Sequence, residues 1–451
     1  MNRPELLSPA GTLRNMRYAF AYGADAVYAG QPRYSLRVRN NDFKRDNLAA
    51  GIDYAHQRGK KFYLASNVSP HNSKVRTFLR DMEPVIAMQP DALIMSDPGL
   101  IMMVREKWPD TEVHLSVQAN AVNFATVKFW ARQGVKRIIL SRELSLDEIA
   151  EIRDECPETE LEVFVHGSLC IAYSGRCLLS GYMNHRDPNQ GTCTNACRWK
   201  YKTHNATERP EGDVVPQVFD PAGQSAAASA LPTLGEGAPT DQIVLLEESN
   251  RPGEYMPAFE DEHGTYIMNS RDLRAVQHVQ NLAEMGVCSL KIEGRTKSHY
   301  YVARTAQVYR QAIDDAAQQR PFNGDLVDTL ERMAHRGYTE GFYRRHVHDQ
   351  YQNYEQGHSS SGLQQFVGEV VDSHGDQITI DVKNRFEVGD CVELLTPAGN
   401  RSFKLDHMEN VQGEAVTVAP GSGHRIRLPV PEGVEVDTFS LLVRNLPQAL
   451  Q

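Results

Sequence analysis

Lys61-Phe62-Tyr63-Leu64-Ala65-Ser66-Asn67 leads into a segment with apolar residues at helical spacing, Val75 to Met88, and the chain then enters a second apolar run, Ala92-Leu93-Ile94-Met95-Ser96. Runs this short and this continuously apolar read as strands covered on both faces, and a helix-length segment between two of them makes a β-α-β unit with parallel strands. The pattern repeats in both directions. Upstream are Glu5-Leu6-Leu7-Ser8 and Ala26-Val27-Tyr28-Ala29-Gly30, with helical segments Thr12 to Tyr22 and Asp46 to Arg58. Downstream are Glu112 to Gln118, Arg137 to Ser141 and Leu161 to His166, the last preceded by Leu146 to Glu155. An eighth run, Ser289-Leu290-Lys291-Ile292-Glu293, follows a helical stretch from Leu273 to Met285. Eight such strands point to an α/β fold, a closed (β/α)8 TIM-like barrel over residues 1–349, with an open sheet as the alternative that counting leaves standing.

Barrels of this kind place chemistry at the carboxyl ends of their strands. Here those ends are polar: Ser8, Asn67, Ser96-Asp97, Gln118 with Asn120, Arg142-Glu143, His166 and Glu293-Gly294-Arg295. Any one of them is ordinarily a helix cap or a satisfied loop residue. Seven such ends facing one mouth point to an active site. His166 fits there as an acid/base group, an orienting residue or a neighbour of a metal centre.

Directly after the seventh strand comes a segment from Val165 to Tyr201 that holds four of the seven cysteines, Cys170, Cys177, Cys193 and Cys197. A zinc knuckle would show short Cys hooks at both ends, and only Cys193/Cys197 comes close. Four thiolates with varied spacing suit an iron–sulfur cluster better than zinc. Ser174-Gly175 can fold the loop between Cys170 and Cys177 inward. Ordinary buried thiols are the bland alternative.

A chain of 451 residues exceeds one ordinary core, and 41% hydrophobic with 24% charged residues is a globular composition. No apolar run of about 18 residues occurs, and the start Met1-Asn2-Arg3-Pro4-Glu5 has no signal-like core, so a cytoplasmic protein without a membrane partner is expected. In that reducing compartment clustered cysteines bind metal or react rather than pair, and seven is an odd count. With 48 basic and 58 acidic side chains the net charge is −10, so an RNA partner needs local basic patches. Two exist. Arg33, Arg37, Arg39, Lys44 and Arg45 stand against Asp42, with Tyr34 and Phe43 interleaved, and Arg198-Trp199-Lys200-Tyr201-Lys202 repeats the mixture. Rings beside cations serve single-stranded bases and phosphates, although a charge run is ordinarily a solvated face.

Beyond Tyr201, residues 203–242 are rich in Pro, Gly, Ala and Ser and read as a flexible insertion. Ile243 to Ser270 reads as hairpin material turning at His263-Gly264, while Tyr300 to Gln318 and Leu326 to Ala334 read as helices. Residues 350–364 form a polar linker, and 365–445 a small C-terminal antiparallel β-barrel with alternating runs at Phe366, Gln377, Asp390 and Phe439. Its Lys383-to-Asp390 turn is similar to that of small translation-factor barrels, which suits an RNA-facing accessory, a stability module or a dimerisation module.

The cysteine segment resembles the collagenase-like peptidases of unknown catalytic type. The matching residues are Val165-His166-Gly167 with Cys170, Ser174-Gly175-Arg176-Cys177, Gly191-Thr192-Cys193 and Cys197-Arg198; Glu5 to Gly11, Arg251 to Tyr255 and Lys291 to Arg295 support them. The likeness extends along the chain apart from the insertion. It implies a tRNA-modifying hydroxylase that acts on C5 of the wobble uridine without dioxygen, depends on prephenate, and carries an iron–sulfur cluster, 4Fe–4S, on Cys170, Cys177, Cys193 and Cys197. Relatives hydroxylate ribosomal RNA or quinone precursors.

On that reading the mouth receives prephenate and a base flipped out of the anticodon loop of tRNA. Arg142, Arg295 and Lys291 are the cations for two carboxylates, with Asn67, Gln118, Asn120 and Glu293 as further binding groups. His166 and Glu143 are the proton-transfer candidates. Arg33, Arg37, Arg39, Arg198 and Lys200 are the RNA-binding candidates. A peptidase is disfavoured, because neither G-x-S-x-G nor H-E-x-x-H occurs and a Cys170 nucleophile would be lost as a ligand. A zinc-stabilised RNA-binding protein without catalysis is the other alternative, and it has no need of a polar barrel mouth.

Overall fold

The computed structural model describes residues 3–36, 42–169, 201–208, 214–216, 243–248, 255–261, 264–265, 272–335, 337–344, 363–431 and 433–446, with backbone alone between 201 and 265. Eight parallel strands close a barrel: β1 (Glu5–Pro9), β2 (Ala26–Gly30), β3 (Lys61–Ser66), β4 (Ala92–Met95), β5 (Val113–Leu115), β6 (Arg137–Ile139), β7 (Glu160–Ser168) and, much later in the chain, β14 (Ser289–Ile292). β14 closes it by pairing with both neighbours, Glu5↔Ser289 on β1 and Leu290↔Val163 on β7. The open-sheet alternative falls with those two ladders.

Helices α1 (Leu13–Ala21), α2 (Arg45–His56), α3 (Asn72–Ile86), α4 (Pro98–Lys107), α5 (Phe124–Arg132) and α6 (Leu146–Glu155) lie between the strands. Their starts are set locally. Thr12, Asp97 and Asn123 each accept a backbone N–H as caps, Pro98 occupies the first turn, and Ser145 with Glu148 forms a capping box. The run from Glu112 to Gln118 is a strand only to Leu115. Ser116 caps a 3-10 turn, Val117–Ala119, which Asn120 ends at φ 51°.

Two expectations change. Leu273 to Met285 is not one helix: Asp272–Arg274 is a strand, β13, then come a 3-10 turn and a helix over Val279–Glu284. β7 runs past its barrel neighbours, and β13 pairs antiparallel with the overhang at Leu273↔Gly167, taking up backbone groups that would otherwise lack partners. The insertion expected to be flexible begins as a strand, β8 (Tyr201–Glu208). β8 joins β9 (Val214–Pro216), β10 (Ile243–Glu248), β11 (Tyr255–Asp261) and β12 (Gly264–Thr265) in one antiparallel sheet of order β12-β11-β10-β8-β9. Tyr201 to Glu208 lacks an apolar alternation, so its pairing with β10 is invisible along the chain. The expected hairpin is present, with Glu260↔Thr265 in register. Residues 217–242 lie outside the described residues.

After the long helix His299–Ala317, a shorter helix Asp325–Glu331 and the two-residue strand β15 (Tyr338–Thr339), the C-terminal sheet takes over. Its strands are β16 (Gln364–His374), β17 (Gln377–Val382), β18 (Phe386–Glu387), β19 (Cys391–Thr396), β20 (Gly399–Lys404), β21 (Glu409–Asn410), β22 (Val418–Ala419), β23 (Arg425–Pro429) and β24 (Leu441–Asn445). Seven pair antiparallel in the order β20-β19-β24-β16-β17-β23-β21, and β18 pairs with β22. One face packs Ile378, Ile380, Val392, Leu394, Leu428 and Leu442 into its own core.

This sheet is docked, not tethered. Leu395, Leu441 and Val443 belong to the barrel's apolar core, Tyr22 Oη donates to Leu395 O and Phe439 O at 3.0 and 2.9 Å, and Tyr300 stacks on Phe366. Gln364, expected in the linker, is instead the buried first residue of β16. Among the described residues no helix is long and apolar enough to cross a membrane.

Candidate active site at the barrel mouth

The barrel is filled by charge at its base. Glu5, Arg137 and Glu160 stand at strand starts; Arg137 reaches Glu5 at 2.6 Å, Glu160 at 2.8 Å and Glu162 at 3.3 Å. Lys291 Nζ lies 2.8 Å from Glu162, and both side chains are buried. Burial works against the Glu162 carboxylate, but Lys291 and Arg137 hold it below the usual range; burial pulls the Lys291 ammonium down, and Glu162 opposes that. Lys291 is therefore a neutralised core group and not a free cation for a ligand carboxylate, contrary to expectation. Its pleat position turns it into the barrel, a depth that the strand-end reading could not see.

Above this layer the mouth is knit by a continuous series of contacts. Asn67 Nδ2 donates to Ser116 Oγ at 3.2 Å, and Asn67 Oδ1 accepts from Leu36 N at 3.3 Å. Arg295 Nη2 donates to Leu36 O at 2.8 Å, and its guanidinium lies 5.8 Å from the Tyr28 ring. Tyr28 Oη donates to Glu293 Oε2 at 3.0 Å, while Lys291 sits 4.2 Å from the Tyr28 ring and 5.6 Å from that of Phe164. The Arg142 guanidinium lies 4.5 Å from the centroid of the Phe164 ring and donates to Ser168 O. Asn67, Arg142, Glu293 and Arg295 are thus brought together, half-buried or buried. Gln118 joins the rim through Ser116, whose Oγ accepts from Gln118 N at 3.4 Å, half-buried Asn120 ends that 3-10 turn, and half-buried Glu143 follows Arg142.

Arg295 has the character of an anion site. It is half-buried, burial lowers its pKa with only Tyr28 in opposition, and among the described residues no carboxylate forms an ion pair with it. Glu293 is held with unusual rigidity. Its N–H donates to His166 O at 2.8 Å, and its carbonyl accepts from Tyr301 Oη at 2.7 Å. Gly167 and Gly294 enclose it at φ +103° and +153°; a Cβ on the first would stand 2.4 Å from Glu293 O, and on the second 2.6 Å from Tyr301 Cε1. Tyr28 and Tyr301 are not among the candidate site residues read from the sequence.

His166 does not face the mouth. The β7–β14 ladder shifts register between Lys291 and Ile292, pairing Phe164 and then His166, so the alternation slips by one residue and the imidazole turns toward the helix layer. There it is buried among Tyr301, Tyr309 and Tyr338 at ring distances of 5.8, 5.5 and 5.4 Å. Burial pushes it down to about 3 although Asp272 pulls the other way, so it is neutral. That removes it as the proton-transfer group of the mouth.

The aromatic part of the first basic patch also fails. Tyr34 and Phe43 are fully buried, packed edge-on against Phe78 and Phe62, and cannot stack on a base. Arg33 is exposed and paired with Asp81. Arg37, Arg39, Arg198, Lys200 and the four cysteines Cys170, Cys177, Cys193 and Cys197 lie outside the described residues. β7 ends at Ser168 on the mouth side, two residues before Cys170. Cys156 is buried in the core, Cys288 is half-buried at the opposite end with burial pushing it up to about 12, and Cys391 is on the C-terminal sheet. Among the described residues no group of three His, Cys, Asp or Glu side chains is arranged to hold a metal.

Residues 11–353 match peptidase family U32, and 363–442 match the C-terminal domain of that family. The chain is 64% identical over 446 residues to a tRNA hydroxylation protein P of Escherichia coli, covering 99% of this chain and 97% of that protein. It is also 64% identical to the Haemophilus influenzae protein of that name, over 98% of this chain and 96% of that one. A 23S rRNA 5-hydroxycytidine synthase of Escherichia coli is 27% identical over 94% of this chain and 58% of its own length. On the family match over both parts and on these full-length identities, the chain belongs to peptidase family U32.

Proposed function

We propose that this protein hydroxylates tRNA at C5 of the wobble uridine, with prephenate as co-substrate at the barrel mouth and an iron–sulfur cluster beside it. The reading is supported by the relatives that carry the name of tRNA hydroxylation proteins and by Arg295, the half-buried cation that has no carboxylate partner among the described residues. Arg295, beside Tyr28, and Arg142, over Phe164, bind the carboxylates of the donor. Asn67, Gln118 and Asn120 supply neutral hydrogen bonds to donor and base. Glu293, its backbone fixed and its carboxylate held by Tyr28, and Glu143 are the groups that move a proton once His166 is set aside.

Cys170, Cys177, Cys193 and Cys197, the ligand set implied by the family resemblance, would supply the four thiolates of one cluster. The cluster supplies electron transfer or polarisation of the donor when bound. A hydrolytic role lacks support, because His166 is neutral and enclosed by tyrosines and no hydrolase motif occurs in the sequence.

Mass spectrometry of tRNA nucleosides from a strain lacking this chain tests the reading, with loss of 5-hydroxyuridine derivatives expected. Unchanged wobble uridines would overturn it. Anaerobically purified protein should contain iron and acid-labile sulfide; stoichiometric zinc without iron would favour the non-catalytic RNA-binding alternative.

A further inference from the structure

Outside the mouth, on the rim formed by the loop after β2 and helix α3, Asp81 gathers donors from two elements. Arg33 pairs with its Oδ2, Arg80 donates from Nε and Nη2 to Oδ1 at 3.2 and 3.1 Å, and Tyr34 Oη donates to Oδ2 at 2.8 Å. A surface ion pair usually does no more than tie a loop to a helix, at about 0–1 kcal/mol. Here the buried Tyr34 already makes that tie through Asp81, Thr77 and Lys74 O. The two guanidiniums are in excess of it, and their side chains remain 48% and 74% exposed.

One carboxylate cannot cancel two guanidiniums. Arg76 lies one helical turn before Arg80 on the same exposed face and forms no ion pair among the described residues. α3 begins just beyond the mouth end of β3, so Arg76 and Arg80 stand roughly 6 and 12 Å along it from Asn72. A protein of net charge −10 thus carries, on the helix that starts beside its candidate active site, the exposed cations Arg76 and Arg80, with Arg80 and Arg33 held at one carboxylate.

We propose that Arg33 and Arg80, joined at Asp81, together with Arg76 one turn before Arg80, form a track for the phosphate backbone of the RNA whose target base enters the barrel mouth. The proposal rests on the tRNA hydroxylation reading. It replaces the stacking role expected of Tyr34 and Phe43 with a purely electrostatic one, because phosphate contact needs only exposed cations at fixed spacing.

Binding of unmodified tRNA with a wobble uridine to the full-length chain, followed by fluorescence anisotropy over a range of salt, tests it. In the double variant Arg76→Glu/Arg80→Glu the Kd should rise at least about tenfold, and the slope of log K against log salt should shrink by about 2. Arg76→Lys/Arg80→Lys should stay within about threefold of wild type, since a point charge suffices for a phosphate. If the reversal lowers the melting temperature, single Arg76→Ala and Arg80→Ala variants carry the test, each losing about 1 in slope. Unchanged affinity and slope in folded variants, with a wild type that binds tRNA, would overturn the track alone. A wild type that binds no tRNA at low salt would overturn the track together with the reading beneath it.

Discussion

Arg295 carries its charge into a half-buried site with one hydrogen bond among the described residues, to Leu36 O, which leaves donor capacity for the proposed donor carboxylate. Arg295→Gln should raise the KM for prephenate by about 10- to 100-fold, the loss of one charge-assisted contact of roughly 1.5–3 kcal/mol, and Arg295→Lys should recover only part of it. Steady-state formation of hydroxylated tRNA at varied prephenate checks this; an unchanged KM would remove Arg295 from the donor site. His166 makes a prediction of a different kind. Its folded pKa, about 3, lies below the 6.5 of the free side chain, so the unfolded chain binds more protons between those values. Stability should therefore fall by up to about 1.4 kcal/mol for each pH unit lost below about 6.5, and the fall should cease near pH 3. Urea titrations from pH 7 to 5 should show a shallower decline in His166→Phe than in wild type; parallel declines would mean that the imidazole charges in place.

At the level of elements, the end of β7 is where chain direction and chemistry meet. Gly167→Ala places a Cβ 2.4 Å from Glu293 O at a positive φ, so β7 and the Glu293 backbone cannot keep their spacing. A loss of about 2–4 kcal/mol by denaturant unfolding is expected, together with loss of tRNA modification, whereas Ser145→Ala at the α6 capping box should cost only about 1 kcal/mol and leave modification intact. Equal and small costs for both would show that the turn relaxes freely. The elements also divide cleanly in how far they could be read in advance. The barrel strands were legible because burial on both faces writes a continuous apolar run, and α1, α2, α3 and α6 because their apolar residues recur at helical spacing. β8 and β13 were not, because each exists through backbone pairing with a distant strand and carries no alternation of its own.

For the whole molecule, the docked C-terminal sheet makes the barrel and its appendage one cooperative body. Arg304 donates to both oxygens of Glu393 at 3.0 and 2.8 Å, with both residues buried. Arg304→Met should cost about 3–5 kcal/mol by stranding the carboxylate, and calorimetry of the intact chain should show a single transition. Removal of residues 363–451 should leave an unstable barrel, with Tyr22 and Tyr300 bared; a truncated barrel that melts with the full chain would refute the coupling. The order of the barrel strands was written in local pattern, since periodicity is a property of neighbouring residues. Packing alone decided that Lys291 is neutralised by Glu162, that a register slip turns His166 away from the mouth, that Tyr34 and Phe43 are core, and that Arg295 has no carboxylate partner among the described residues. Each of these depends on which groups, often more than a hundred residues away, come to lie against a side chain, and on the water they exclude.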